Sequence, residues 1–343
     1  MNENKSDNKN IQLFENLNNF HFDSYTDSYI SDSFCIFVSI NDILNLIYSN
    51  ESKSIIVYDL NNEQKMCEIK NAHDDYISSF KHILDEKEKK DLLISVSYDS
   101  NYLKLWDIKN LKCLCHIQNI NNDGFLFCAH FLSENFNDSH NLYILTTNCN
   151  FYHNSGPIKK YDLKGNQIDI LNNSEGLDIL YLTDFCDVIS QKQYLVAGTK
   201  RNILSFDIEN NKIHQTFERQ NDCMHCNIII NTQIKEGIIY MIETGTDGKL
   251  RIWDFHGVKI LKTINVSNTW LYGMCLWDNN LIFVGDGNKN LRLIDLEKGE
   301  VIQILPGSNR MITTIKKNTL KKYGECLITQ EYLKGEIKLW KKM

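Results

Sequence analysis

No uninterrupted apolar run approaches the roughly 18 residues that a membrane-crossing helix needs, so no helical span is expected. The opening MNENKSDNKN has no apolar centre and does not read as a secretory signal. Concentrated positive charge is missing too. The 37 Lys and Arg residues are outnumbered by 44 Asp and Glu, and a net charge of −7 argues against a surface for duplex nucleic acid. Helical periodicity of any length is absent, which leaves short strands as the only regular element. No Gly-x-Ser-x-Gly elbow for a nucleophilic serine occurs. The 11 cysteines are odd in number and scattered. Without a leader they read as reduced thiols of a cytoplasmic or nuclear protein, neither secreted nor membrane-bound.

What the chain does have is a repeat. The segment LKLWDIKN around Trp106 returns as IIVYDLNN (55–62), IKKYDLKG (158–165), ILSFDIEN (203–210), LRIWDFHG (250–257), LRLIDLEK (291–298) and a shortened IKLWKK (337–342). The anchors Tyr58, Trp106, Tyr161, Phe206, Trp253, Ile294 and Trp340 are spaced at intervals of 48, 55, 45, 47, 41 and 46 residues. Such even spacing identifies one supersecondary unit used seven times. In each copy, alternating apolar positions put one strand face in a core. The Asp followed by Asn or Gly then supplies a tight hairpin turn, and another short strand follows, such as KCLCHI or VKILKTI. The upstream half repeats more loosely: NAHDDYISSFKH (71–82) is similar to VSNTWLYGMCL (266–276) and GSNRMITTIKK (307–317).

Ala72-His73, Ser97-Tyr98-Asp99 and Trp106-Asp107, in that order, resemble the signature of the WD-repeat β-propeller family, and the resemblance extends from about residue 11 to 343. It implies an all-β, seven-bladed propeller of four-stranded antiparallel blades. Residues 1–9 would be a disordered tail and 10–343 a single domain, with 10–17 supplying the strand that completes the last blade. Closure of this kind removes free sheet edges. It also implies a hydrogen-bonded tetrad of His73, Ser97, Asp99 and Trp106 that fixes strand packing. The fifth unit keeps Asp247 and Trp253 but has Gln220 and Gly245 in place of His and Ser.

Candidate chemistry is sparse. CMHC (223–226) has the spacing of a metal or redox pair, but it falls where the innermost strand of the fifth unit belongs. Residues i and i+3 of a strand point to opposite faces, so Cys223 and Cys226 are expected to be structural thiols, and no metal or cofactor is expected. His73 with Ser97 and Asp99 has the composition of a catalytic triad, yet within a blade the three would be occupied by Trp106. GDGNKN (285–290) reads as a turn and LDEKEKKD (84–91) as a solvated loop. The Phe-Arg-Arg-Gly motif of phosphoinositide-binding propellers is missing.

The remaining expectation is a binding surface. In WD propellers the loops that lead into each first strand line one face around the central channel. Tyr29, Tyr76, Trp270 and Met311 occupy that position in their units, Arg310 is adjacent, and Phe151 and Tyr152 sit on an insertion (149–157) of the third unit. Aromatic and Arg side chains dominate interface energetics. The chain is therefore expected to be a non-enzymatic scaffold, itself monomeric, that binds protein or peptide partners within a larger complex. The alternative is a propeller-type hydrolase or isomerase with its site at the channel mouth.

Overall fold

The alternation seen in the chain becomes strand throughout. The computed structural model describes residues 14–26, 33–97, 102–118, 125–136, 139–149, 156–171, 174, 176–218, 225–235, 237–306 and 308–342. Among these, every helical or extended element is a β-strand, and 28 strands form seven four-stranded antiparallel sheets. In six sheets the strands follow chain order. Blade 2, for example, runs Ile77–Asp85, Lys90–Ser97, Tyr102–Asp107 and Lys112–Gln118. First strands of successive blades pack on one another at the centre, and fourth strands lie outside. The molecule is a seven-bladed β-propeller.

Blade 7 is assembled from both ends of the chain. Its first three strands are Ile312–Leu320, Gly324–Glu331 and Leu333–Lys342, and its outer strand is Phe14–Thr26. The closing strand was expected at residues 10–17. The observed strand reaches much further: it pairs from Phe14↔Lys342 to Asn16↔Trp340 and again, after a register shift, from His21↔Lys338 to Thr26↔Leu333. Residues 10–13 lie outside the described residues.

Seven apolar clusters hold the ring, one at each seam. Between blades 2 and 3, Leu92, Ile94, Val96, Leu103 and Leu105 meet Ala129, Phe131, Ile144 and Tyr161. Between blades 6 and 7, Trp277, Phe283 and Leu293 meet Phe14, Leu327 and Trp340. Each fully buried large side chain contributes about 1.5–3 kcal/mol. Stability therefore resides in the seams, where the anchors also lie: Trp106 in the seam with blade 1 and Trp253 in the seam with blade 4.

Blades 6 and 7 approach closely at two glycines. A Cβ on Gly273 would stand 2.5 Å from the Thr313 carbonyl oxygen, and one on Gly285 would stand 2.4 Å from that of Ile312. Any other residue at either position would force the two blades apart.

Six blades share a device that their sequences do not advertise. Opposite each anchor, the outer strand carries one extra residue: Met66, Leu114, Ile168, His214, Leu261 and Ile302. A β-bulge of this kind bends the strand and breaks the ladder. Five of the six extra residues are large, apolar and exposed. The bulge stops these outer edges from acting as flat templates for another chain. It also reverses the alternation, so Cys113 shares a face with Trp106 while Cys115 faces Leu105. The two thiols therefore lie on different faces, Cys115 in the seam with blade 3 and Cys113 exposed.

In blades 1 to 6 the Asp that follows the anchor caps its hairpin. The Asp59, Asp107, Asp162, Asp207, Asp254 and Asp295 carboxylates accept backbone N–H groups of the turn at 2.8–3.1 Å. The side-chain amides of Asn166 and Asn210, aided by these backbone bonds, hold the Asp162 and Asp207 carboxyls below their ordinary range.

Candidate functional site: the face of the lead-in loops

The best-kept repeat supplies a fixed reference. Trp106 Nε1 donates to Ser95 Oγ at 2.7 Å, and the same hydroxyl lies 2.7 Å from His73 Nε2. An indole N–H can only donate, so Ser95 accepts from Trp106 and links it to the His73 imidazole, which burial keeps neutral. The bridging serine is Ser95, where Ser97 was expected. Both lie on one face of Lys90–Ser97, and the pairing of Leu93 with Trp106 places Ser95 nearer the indole. Ser97 is fully buried beyond it, and Asp99 lies outside the described residues. His73 is 3% exposed and closed off by Trp106, so the pair serves packing.

Burial, with a smaller contribution from Lys104, pushes the His73 pKa down to about 3. The unfolded chain binds this proton below about 6.5 while the folded chain refuses it. Its contribution to stability is therefore complete above pH 6.5 and is lost as pH falls toward 3, at about 1.4 kcal/mol per pH unit. Denaturant melts of wild type and His73→Gln between these limits should show the wild-type curve steeper by that slope. Parallel curves would exclude the assignment.

The same bond recurs with other partners. Trp340 Nε1 donates to Thr329 Oγ1 at 2.9 Å, and Trp253 Nε1 lies 3.4 Å from Glu243 Oε1. Glu243 is fully buried and lies 3.6 Å from Arg251, which also pairs with Asp247. A cation two residues before the anchor is in fact common to five blades: Lys104, Lys159, Arg251, Arg292 and Lys338. Three of these have acids of their own. Arg292 Nε lies 2.6 Å from Asp286, and Lys338 Nζ lies 2.7 Å from Glu331 and 3.1 Å from Glu336. Lys104 instead donates to the Ala72 carbonyl at 2.6 Å. These groups tie third strands to the lead-in face.

On that face the expected residues fall into three groups. Tyr29, Phe151 and Tyr152 lie outside the described residues. Tyr76 is half-buried, with Lys53 Nζ 5.3 Å from its ring centre; that ammonium is also 2.5 Å from the Asp74 carbonyl and 3.8 Å from Asp75. Trp270, Arg310 and Met311 form the third group, on the neighbouring blades 6 and 7.

Their surroundings are built and held. The Trp270 carbonyl accepts Gly287 N at 2.9 Å, and Asn288 Nδ2 donates to Asn268 Oδ1 at 3.1 Å. The turn 287–290 is thereby stitched to the lead-in loop of its own blade. Glu331 accepts Asn309 N at 2.9 Å, and the Met311 carbonyl accepts Tyr332 N at 2.8 Å, which fixes the lead-in loop of blade 7. The Gly285–Ile312 approach brings the two loops side by side. The indole of Trp270 is left 45% exposed, with the buried Tyr272 ring 6.2 Å behind it. Arg310 and Lys289 are exposed and Met311 is half-buried. Lys289 was not singled out by the sequence, where it looks like any turn residue.

No protein-family model matches this chain, and no curated protein is significantly similar to it.

Other features carry less. Cys223 lies outside the described residues and Cys226 is on the inner strand His225–Lys235. Burial pushes the Cys115 thiol up to about 11 and the Cys326 thiol to about 12, so both are protonated and unreactive at neutral pH. GDGNKN is the turn between the second and third strands of blade 6, and the Lys-rich segment is the hairpin turn after Asp85. A groove of about 260 Å3 between blades 5 and 6, lined by Tyr240, Ile242, Ile252, Leu261 and Leu296, opens on the opposite face.

Proposed function

We propose that this chain is a WD-repeat propeller acting as a non-enzymatic scaffold, and that it binds a protein or peptide on the lead-in face at the corner of blades 6 and 7. The observation that carries the reading is Trp270, an indole left half in water on a loop that is itself hydrogen-bonded in place. Exposed apolar surface on a rigid frame marks interaction sites, and Trp and Arg are the residues most often found to dominate them. On this reading the propeller is a monomeric subunit of a larger cytoplasmic or nuclear assembly and uses no cofactor.

The test is affinity purification of wild type beside Trp270→Ala and Arg310→Ala. Each truncation is expected to cost about 2 kcal/mol, roughly a thirtyfold loss of affinity for the partners recovered with wild type, at unchanged melting temperature. Partners retained at full strength by both variants would remove the site.

A further inference from the structure

The cations of the lead-in face differ in one respect. Lys53 is held by Asp74 and Asp75, Lys200 by Asp178 at 2.6 Å, Arg251 by Glu243 and Asp247, Arg292 by Asp286, and Lys338 by Glu331 and Glu336. Each of these five has a carboxylate within 4 Å. Arg310 and Lys289 are exposed and have no acidic partner among the described residues. The acids nearest in sequence and bonding, Asp286 and Glu331, are already engaged by the buried Arg292 and Lys338. Among the described residues, the corner around Trp270 thus has an excess of positive charge in a chain whose net charge is −7.

We propose that this corner selects acidic segments: an Asp or Glu carboxylate seated between Arg310 and Lys289, beside an apolar side chain laid on the Trp270 indole. The proposal rests on the lead-in face being the partner site and goes further by naming the partner's chemistry. Two uncompensated cations steer and orient a carboxylate. The guanidinium can grip it with two parallel hydrogen bonds. The indole supplies apolar area at little entropic cost. Two charges are too few to hold a nucleic-acid backbone on a molecule otherwise acidic, because such binding draws on many phosphate contacts.

The protein carries its own reporter. Of five tryptophans, Trp106, Trp253, Trp277 and Trp340 are 5% exposed or less, so quenching by added acrylamide reads Trp270. The experiment titrates wild type and Lys289→Glu/Arg310→Glu with short peptides that share a leucine pair and have glutamate, lysine or serine at the remaining positions. The glutamate peptide should protect Trp270 at concentrations below about a millimolar, about tenfold better than the serine peptide, and less well at high salt. The doubly reversed variant should lose that protection and prefer the lysine peptide. Equal protection by all three peptides overturns the acidic preference, as does protection by a single-stranded oligonucleotide in place of the glutamate peptide, or no protection at all. Partners recovered with wild type separate the two levels. Loss with Trp270→Ala but full retention by the doubly reversed variant overturns only the acidic preference, whereas retention by Trp270→Ala overturns the face itself.

Discussion

Removing residues 1–26 is expected to abolish cooperative unfolding, and Phe14→Ala alone should lower the melting temperature by on the order of 10 °C. The outer strand of blade 7 makes nine register pairs with Leu333–Lys342, and Glu15 adds an ion pair to Lys341 at 2.9 Å. Phe14 is 1% exposed and meets the rings of Trp277 and Phe283 edge-on, each at 4.8 Å. Phe-to-Ala changes in such a core cost about 3–5 kcal/mol, a large part of the 5–15 kcal/mol that holds a typical domain. Deleting the strand removes that packing and also frees the edge of Leu333–Lys342 along its full length, opening the ring and leaving a template for aggregation. Circular dichroism melts and light scattering on the two variants decide the matter. A truncated chain that still melts sharply, as a monomer, would contradict closure.

The second large effect is expected at Lys338. Its ammonium is 3% exposed and its partner Glu331 is 1% exposed. Lys338→Met leaves a carboxylate buried without a counter-charge, which costs about 3–5 kcal/mol. Glu331 also accepts the backbone N–H of Asn309, so the loss should reach the lead-in face through the loop that carries Arg310. In the double variant Lys338→Met/Glu331→Gln, no fully buried charge remains stranded, since Glu336 is 36% exposed, and the glutamine carbonyl still accepts Asn309. Most of the stability should return. Chemical denaturation of the two variants measures this directly; if they unfold together, the loss belongs to packing of the lysine stem, and the carboxylate is not the liability.

The anchors and the closure were legible because they follow from burial and turn chemistry, which leave a periodic trace. All seven, from Tyr58 to Trp340, lie on third strands as their spacing implied. The bulges were not legible, because an extra residue exists only relative to a partner strand. Nothing in KCLCHI marks Leu114 as the residue without an opposite number. The choice of Ser97 over Ser95 failed for a related reason: two residues apart on a strand means the same face, and only register distinguishes them. Glu243 occupies the equivalent place in blade 5, where a glutamate in isolation reads as surface. One signal was available and unused, the basic residue two places before the anchor in five of seven repeats. At the candidate site, Trp270 and Arg310 followed from position within the repeat. Lys289 emerges only once the acids around it are seen to be already paired.

The register of the closing strand has a mechanical consequence. Phe14 lies opposite Lys342, so the start of the outer strand and the end of the third meet at the same end of the blade. Tension applied between those two points would load the ladder one hydrogen bond at a time, as a zipper opens, and never the whole strand at once. The seam whose loss is expected to be most damaging on heating is therefore the one that should yield first, and at low force, to a pull on the two ends of the sheet.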